Sequence, residues 1–256
     1  MKYCKTCLQP DTRPNIIFDK NSVCPLCKYA ESIKNVNWQA RYEILLDLVK
    51  PFRNSSGVGY DCIVGVSGGK DSTRQALWIR DRLKMNPLLV SLTHPPQSVN
   101  NIGVDNLSNL FNLGFDIVQS SLGPQTWREL MKAAFFKYKN WAVPSELALF
   151  SSVPRLAIQH NINLVFWGEC PLQFGDLAPL GKEPWDANGM AKQHTLSAGH
   201  DWMLEAGFPE NKLIHYIFPP KELFDKINLQ IIYLGWFLGD WSLENNGMYS
   251  CARGLK

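Results

Sequence analysis

The chain has 256 residues, 45% hydrophobic and 19% charged, with 16 Pro and 18 Gly; that much apolar side chain closes a core and excludes intrinsic disorder. No apolar run reaches the ~18 residues of a membrane span, and the start MKYCKTC lacks the basic-then-apolar pattern of a signal peptide, so a cytoplasmic protein is expected. Twenty-six Lys+Arg against 23 Asp+Glu leave +3, with a pI near 8.4; a dedicated nucleic-acid domain lies above ~9, and a small anion suits this balance equally well.

Seven cysteines are unevenly spread. Cys4, Cys7, Cys24 and Cys27 crowd the start, whereas Cys62, Cys170 and Cys251 are isolated. The cluster reads C-x2-C-x16-C-x2-C, within the spacing of a tetrathiolate zinc site. Each C-x2-C knuckle aims two sulfurs at one point, and two knuckles complete a tetrahedron. A pair of disulfides is disfavoured by a reducing compartment, and a redox C-x2-C by the presence of two such pairs. Four thiolates leave no open position, so this zinc is expected to fold rather than catalyse. Residues 1–30 are thus read as a zinc ribbon and 31–59 as a helix and linker.

The helix is predicted over Trp38–Val49, where Trp38, Tyr42, Leu45, Leu46 and Val49 share a face, and 51–59 (PFRNSSGVG) is loop. From residue 60 to 256 strand and helix patterns alternate. Strands are predicted at Tyr60–Val66, Leu88–Thr93, Phe115–Ser120, Asn163–Glu169 and Ile231–Phe237. Helices follow the first strand to about Lys84, then span Val104–Leu113 with Gly114 as cap, Thr126–Asn140 and Glu146–His160. Apolar strands separated by helices predict an α/β fold, a doubly wound and mostly parallel sheet covered on both faces. Ligands of such sheets bind beyond the carboxyl ends of the strands. The aperiodic stretch Cys170–Lys192 follows the fourth strand and is read as a substrate lid in preference to a plain connector.

The first strand runs into Ser67-Gly68-Gly69-Lys70-Asp71-Ser72, with Thr73 opening the helix. Glycines at a strand-to-helix turn let backbone approach a ligand, and the helix start offers free N–H groups, so the turn is an anion cradle. A Walker A loop is excluded because Asp71 follows Lys70, and no G-x-G-x-x-G is present. Ser67, Gly68, Gly69, Lys70, Asp71, Ser72 and Thr73 are the candidate anion-binding set, through the backbone N–H groups of Gly68 to Ser72 and two hydroxyls. Lys70 would neutralise charge growing on a leaving group. Asp71 is read either as a Mg2+ ligand or as a helix cap. Glu169 is read as a metal ligand or substrate anchor, against the alternative of a solvated strand-end residue.

SGGKDS after an apolar strand resembles the PP-loop of ATP pyrophosphatases. That resemblance implies an adenine-nucleotide alpha-hydrolase-like sheet that cleaves ATP between its alpha and beta phosphates. A wider set of segments resembles the N-acetyl sugar amidotransferases of bacterial surface-polysaccharide and flagellar-glycan synthesis. These are Tyr3-Cys4-Lys5-Thr6-Cys7, Pro10-Asp11-Thr12-Arg13-Pro14 and Val23-Cys24-Pro25-Leu26-Cys27, then Asp61–Thr73 (DCIVGVSGGKDST), Phe166–Gly175 (FWGECPLQFG) and the aromatic run Tyr233–Trp241. The resemblance implies that ATP adenylates the amide oxygen of an acetamido sugar on a nucleotide or lipid carrier, and that ammonia replaces it to give an acetamidino group. No Cys-His glutaminase is evident in the chain, so a separate glutaminase partner and an ammonia conduit are implied. Cys170 departs from the family pattern, in which a polar residue follows Gly-Glu. Members of that family generally continue further, so a C-terminal cap is expected to be incomplete.

The rival reading is a tRNA-thiolating PP-loop enzyme, which needs further cysteines; Cys62, Cys170 and Cys251 are unpaired in sequence, and Cys62 is expected buried. A zinc-ribbon ATP-binding adaptor is a non-enzymatic alternative. His94 is expected in a turn at the carboxyl end of the second strand. His194 and His200 lie six apart and do not share a helix face, and His160 and His215 are read as structural or exposed. Asp176, Lys182, Glu183 and Asp186 could orient a sugar but are commoner as solvated loop charges. Trp167, Trp185, Trp236 and Trp241 could stack on a sugar or base, though large aromatics are usually core.

Overall fold

The structure, a computed structural model, describes residues 1–12, 16–54, 57–95, 99–192, 196 and 199–256. Arg13, Pro14, Ser55, Ser56, Pro96 and His194 are among the residues outside that set. Helix α1 (Pro25–Ser32) carries a proline in its first turn, where no N–H is needed. Helix α2 spans Trp38–Val49, and the Asn37 side chain caps it by accepting from Ala40 N–H. Then follow β1 (Cys62–Gly65), α3 (Lys70–Asp81), β2 (Pro87–Thr93), α4 (Asn101–Asn112), β3 (Ile117–Ser121), α5 (Pro124–Tyr138), α6 (Val143–Gln159) and β4 (Leu164–Trp167). Short helices α7 (Asp201–Glu205) and α8 (Lys221–Lys226) precede β5 (Gln230–Tyr233), and α9 (Leu243–Cys251) follows it.

The five strands form one sheet in the order β3-β2-β1-β4-β5, and every neighbouring pair is parallel. Alternation along the strands sends side chains to two cores. Ile63, Leu88, Val90, Val165 and Ile231 pack with Leu130 of α5 and Leu147 and Val153 of α6. Cys62, Val64, Leu89, Phe166 and Ile232 pack with Leu45 of α2, Ile79 of α3 and Leu110 of α4. Strands apolar on both faces bury both, so the expected doubly wound α/β architecture is what the chain forms. The chain leaves β1 toward β2 on one side and returns through β4 on the other. The β1–β4 boundary is therefore the point where connections diverge and a crevice opens at the strands' carboxyl ends.

Three expectations are corrected. The fifth strand stops at Tyr233 rather than Phe237, because Leu234–Trp236 turn as a 3-10 segment and Gly235 N–H donates to the Gly168 carbonyl at 2.9 Å. The cysteine-rich module does not end at residue 30, since α1 runs through it to Ser32 and a 3-10 turn continues to Asn35. In that module only one isolated antiparallel bridge, Tyr3 to Pro10, occurs among the described residues. The stretch 170–192 is not a lid along its whole length. Asp186 forms an antiparallel bridge to Ile232, Ala187 N–H donates to Ile231 and Tyr233 N–H to Trp185, so its second half covers the edge of β5.

The last helix, α9, corresponds to no predicted element. Its N-cap Ser242 accepts from Asn245 N–H, and Ser250 Oγ donates to the Lys70 carbonyl at 2.7 Å, which docks it on α3. No helix among the described residues is long and apolar enough to cross a membrane.

Candidate active site

The four amino-terminal cysteines converge. Their sulfurs all lie within 4.8 Å of one another, with Cys4 to Cys27 at 3.9 Å and Cys7 to Cys24 at 3.6 Å. Tetrahedral Zn–S bonds near 2.3 Å place sulfurs roughly 3.8 Å apart, so the donor set fits a tetrathiolate ion. The second cysteine pair is built into a helix start, with Cys24 as N-cap and Cys27 in the first turn of α1. Backbone N–H groups of Thr6 and Cys24 donate to Cys4 Sγ at 3.4 and 3.3 Å. Burial and the neighbouring thiols push the Cys27 thiol well up. Burial also opposes ionisation of Cys4, but N–H donors from Cys7, Cys24 and Thr6 bring it down to about 6.

Ser67–Ser72 leaves β1 at the divergence point. Gly68 has φ +79°, and a Cβ there would meet the backbone of Asn106 and Leu107 at 3.0–3.3 Å, so only glycine lets α4 pack this close. Ser67 N–H donates to Ser72 Oγ at 3.3 Å, Gly69 N–H donates to Ser67 Oγ at 3.3 Å, and Ser72 Oγ donates to the Gly69 carbonyl at 3.2 Å. The loop is thus folded by its own hydroxyls, and the first-turn N–H groups of α3 point out of the helix end.

The helix opens at Lys70, not Thr73. Gly69 is its N-cap with no side-chain cap hydrogen bond, so capping by Asp71 is corrected as well. Thr73 is wholly buried and its hydroxyl has no partner; it is not among the residues lining the cleft. Asp71 is held from two sides: Lys70 Nζ lies 2.5 Å from Oδ2, and Asn246 Nδ2 donates to Oδ1 at 2.5 Å.

Glu169 follows β4, next to β1 in the sheet. The protein around its carboxyl and the charge of Asp71 raise its pKa, and Lys70 pulls the other way. A Cβ on Gly168 would meet Gln75 Oε1 at 2.7 Å and the Trp241 ring at 3.2 Å, so a side chain here would crowd both. Asp71 and Glu169 border a cleft with Ser67, Gly69, Ser72 and Gln75 at its polar end. Its apolar end is formed by Val90 and Leu92 of β2, Val153 of α6 and Trp167, the last stacked on Phe150 at 5.0 Å. A polar end with helix N–H groups suits phosphates, and an apolar slot suits a flat base. Two carboxylates are the usual protein share of a Mg2+ site completed by phosphates.

Residues that sequence reasoning missed hold this arrangement. Arg74, 3% exposed, donates to the Asp240 carbonyl at 2.9 Å and to Asn246 Oδ1, pairs with the Asp240 carboxylate at 2.6 Å and lies under Trp241. Of the remaining candidates, His94 is exposed and tilts against Trp127. His160 is exposed, while burial and Arg155 lower the pKa of His215. Asp186 turns inward and accepts from the N–H groups of Lys182 and Asn188; Lys182 and Glu183 stay exposed. Trp185 packs on Phe237, Trp236 carries Arg41 over its ring, and Trp167 and Trp241 line cavities by the loop. Cys62 and Cys170 are buried and Cys251 exposed, and none joins the four-sulfur group. Burial pushes the Cys170 thiol up to about 12.

No protein-family profile and no curated protein matches the sequence. Solved structures are similar at low identity. The U34-tRNA thiolase of Methanococcus maripaludis, solved with its [4Fe-4S] cluster, is 14% identical over all of this chain and 74% of its own, with a TM-score of 0.38. The NH3-dependent NAD synthetase of Campylobacter jejuni is 18% identical over 75% of this chain and 93% of its own, at 0.37. The NMN synthetase of Francisella tularensis is 15% identical over 85% and 94%, also at 0.37.

Proposed function

We propose that the chain is an ATP-dependent, AMP-forming amidotransferase that converts the N-acetyl group of a sugar, carried on a nucleotide, to an acetamidino group. The observation that supports ATP chemistry is the convergence of Ser67, Gly69, Asp71, Ser72 and Glu169 on one cleft where β1 and β4 diverge, with Lys70 paired to Asp71. In this reading the amide oxygen of the sugar attacks the alpha phosphate and pyrophosphate leaves into the loop. Ammonia then adds to the activated carbon, and AMP departs with the former amide oxygen. Lys70 would balance charge on the pyrophosphate, and Asp71 and Glu169 would hold Mg2+, which would offset charge on the phosphates.

Zinc on Cys4, Cys7, Cys24 and Cys27 is structural, a glutaminase subunit supplies ammonia with or without a conduit protein, and the reaction belongs in the cytoplasm, in synthesis of surface glycans such as lipopolysaccharide O-antigen. Amidotransfer is favoured over sulfur transfer because two of the three remaining cysteines are buried and, among the described residues, none lies in a second cluster.

The test incubates the protein with ATP, Mg2+, ammonium chloride and UDP-linked acetamido sugars. A sugar whose mass changes by exchange of O for NH, with AMP formed in step, is the expected result, and Lys70→Ala should abolish both while metal content stays unchanged. An unchanged sugar, with sulfur entering tRNA once sulfide is supplied, would replace this reading by thiolation.

A further inference from the structure

Asp71 and Glu169 face two cavities. One is the cleft described above; the other, of about 390 Å3, is walled by α1, by the 171–174 turn and by the start of α9. We infer that this second cavity is the acceptor site and that it takes an uncharged sugar ring bearing an acetamido group, an inference that rests on the proposed adenylating function.

The shared carboxylates carry the argument. A reaction that joins two bound molecules needs both within reach of the same groups, and Asp71 and Glu169 are the residues, with no others among those described, that line both spaces. The nucleotide cleft is bounded by β2 and α6, so the triphosphate would meet a molecule in the second cavity across these two side chains.

The lining selects the class of ligand. Tyr29, Phe174 and Trp241 supply flat faces, and Gln173 an amide that both donates and accepts, a mixture suited to a ring with one apolar face and polar edges. Among the described residues of the lining Lys70 is the one cation, and it is paired with Asp71. A polyanion such as a nucleic-acid strand needs several. The volume is of the size that encloses a small ligand. A charged carrier would therefore remain outside while the sugar enters.

The wall formed by α1 also explains why a cysteine module stands beside a nucleotide site. Leu26, Tyr29, Ala30 and Ile33 of that wall follow directly on Cys24 and share their helix or its extension with Cys27. A Cβ on Gly175 would meet Leu26 N at 3.3 Å, so the module is seated tightly on the 171–175 turn.

The test titrates the full chain with methyl N-acetylglucosaminide and UDP-N-acetylglucosamine, and separately with a non-hydrolysable ATP analogue, for the wild type, Gln173→Ala and Phe174→Ala. Trp241 is left intact because it packs on Gly168 and Gly235. The expected result is a loss of about tenfold or more in sugar affinity in each variant, equivalent to about 1.4 kcal/mol, with analogue affinity unchanged. Wild-type binding of sugar that neither variant weakens would overturn the cavity assignment and leave the proposed function standing. Parallel loss of sugar and analogue binding would assign the cavity to the nucleotide instead. Analogue binding with no saturable sugar binding by the wild type would overturn both the sugar class and the amidotransfer reading.

Discussion

Asn246 and Asp71 are 175 residues apart in the chain and 2.5 Å apart in the fold, Nδ2 to Oδ1. The orientation of that amide is dictated. Arg74 can only donate, so the Asn246 oxygen must face it and the NH2 group must face Asp71, and Asn246 is 1% exposed with no other place to turn. Buried Arg74 and Asn246 therefore form a line with half-buried Asp71 that ends at the junction of the two cavities.

Asn246→Ala should lower AMP formation about 10- to 100-fold, the range expected when a hydrogen bond to a charged group is lost at about 1.5–3 kcal/mol. Asn246→Asp should be no better, because it keeps a partner for Arg74 but sets a second carboxylate against Asp71. Steady-state kinetics checks both, with thermal unfolding to show that α9 stays docked; wild-type rates in the alanine variant would refute a positioning role.

Glu169 titrates above the ordinary glutamate range because protein surrounds its carboxyl and Asp71 repels the charged form. Asp71→Asn should therefore move the Glu169 titration to lower pH, read by carbon-13 NMR of the carboxyl. The sign for stability follows: with its pKa raised on folding, the folded state holds this proton where the unfolded state has lost it, so stability falls as pH rises between the two values. Glu169→Gln should raise the melting temperature more at pH 7 than at pH 4. An equal shift at both would remove the titration as its cause.

Much of the frame was legible in local pattern. Helix α2 has the bounds that its apolar spacing implies, Trp38–Val49, and branched apolar runs located the five strands. The Ser67–Ser72 turn was legible because its glycines, lysine and hydroxyls are contiguous. Helix α9 was not, because LENNGMYSC carries only a weak apolar face and its helix is held by Ser250 and Asn246 reaching α3. Nor could spacing reveal that Cys24 begins a helix whose far side walls a cavity, since those contacts cross from the first 35 residues to the last 20. Long-range pairings of this kind leave no periodic trace.

Cys7 is the exposed member of the four-sulfur group, so Cys7→Ser perturbs packing least while removing one ligand. Metal analysis by mass spectrometry should give about one zinc per chain in the wild type and much less in the variant. Sugar binding should weaken more than ATP-analogue binding, because α1 walls only the second cavity. Iron in place of zinc, with the absorption of a cluster, would reassign the site.

Cys170 is fully buried, and burial holds its thiol up to about 12, whereas Cys251 is exposed. Iodoacetamide at pH 8 should label Cys251 and spare Cys170 and Cys62 in the native protein, as peptide mapping would show, since only thiolates react. Cys251→Ser should keep AMP formation. Abolished turnover in that variant would bring a sulfur-transfer role back.

The wall that α1 and α9 share has a consequence for assembly. Residues 26–33 and residues 241–246 meet only through tertiary docking, so the second cavity closes when α1 and the start of α9 have both seated. The same docking brings Asn246 to Asp71. A variant that frees α9 would thus open one wall of the cavity and release the Asp71 carboxylate together.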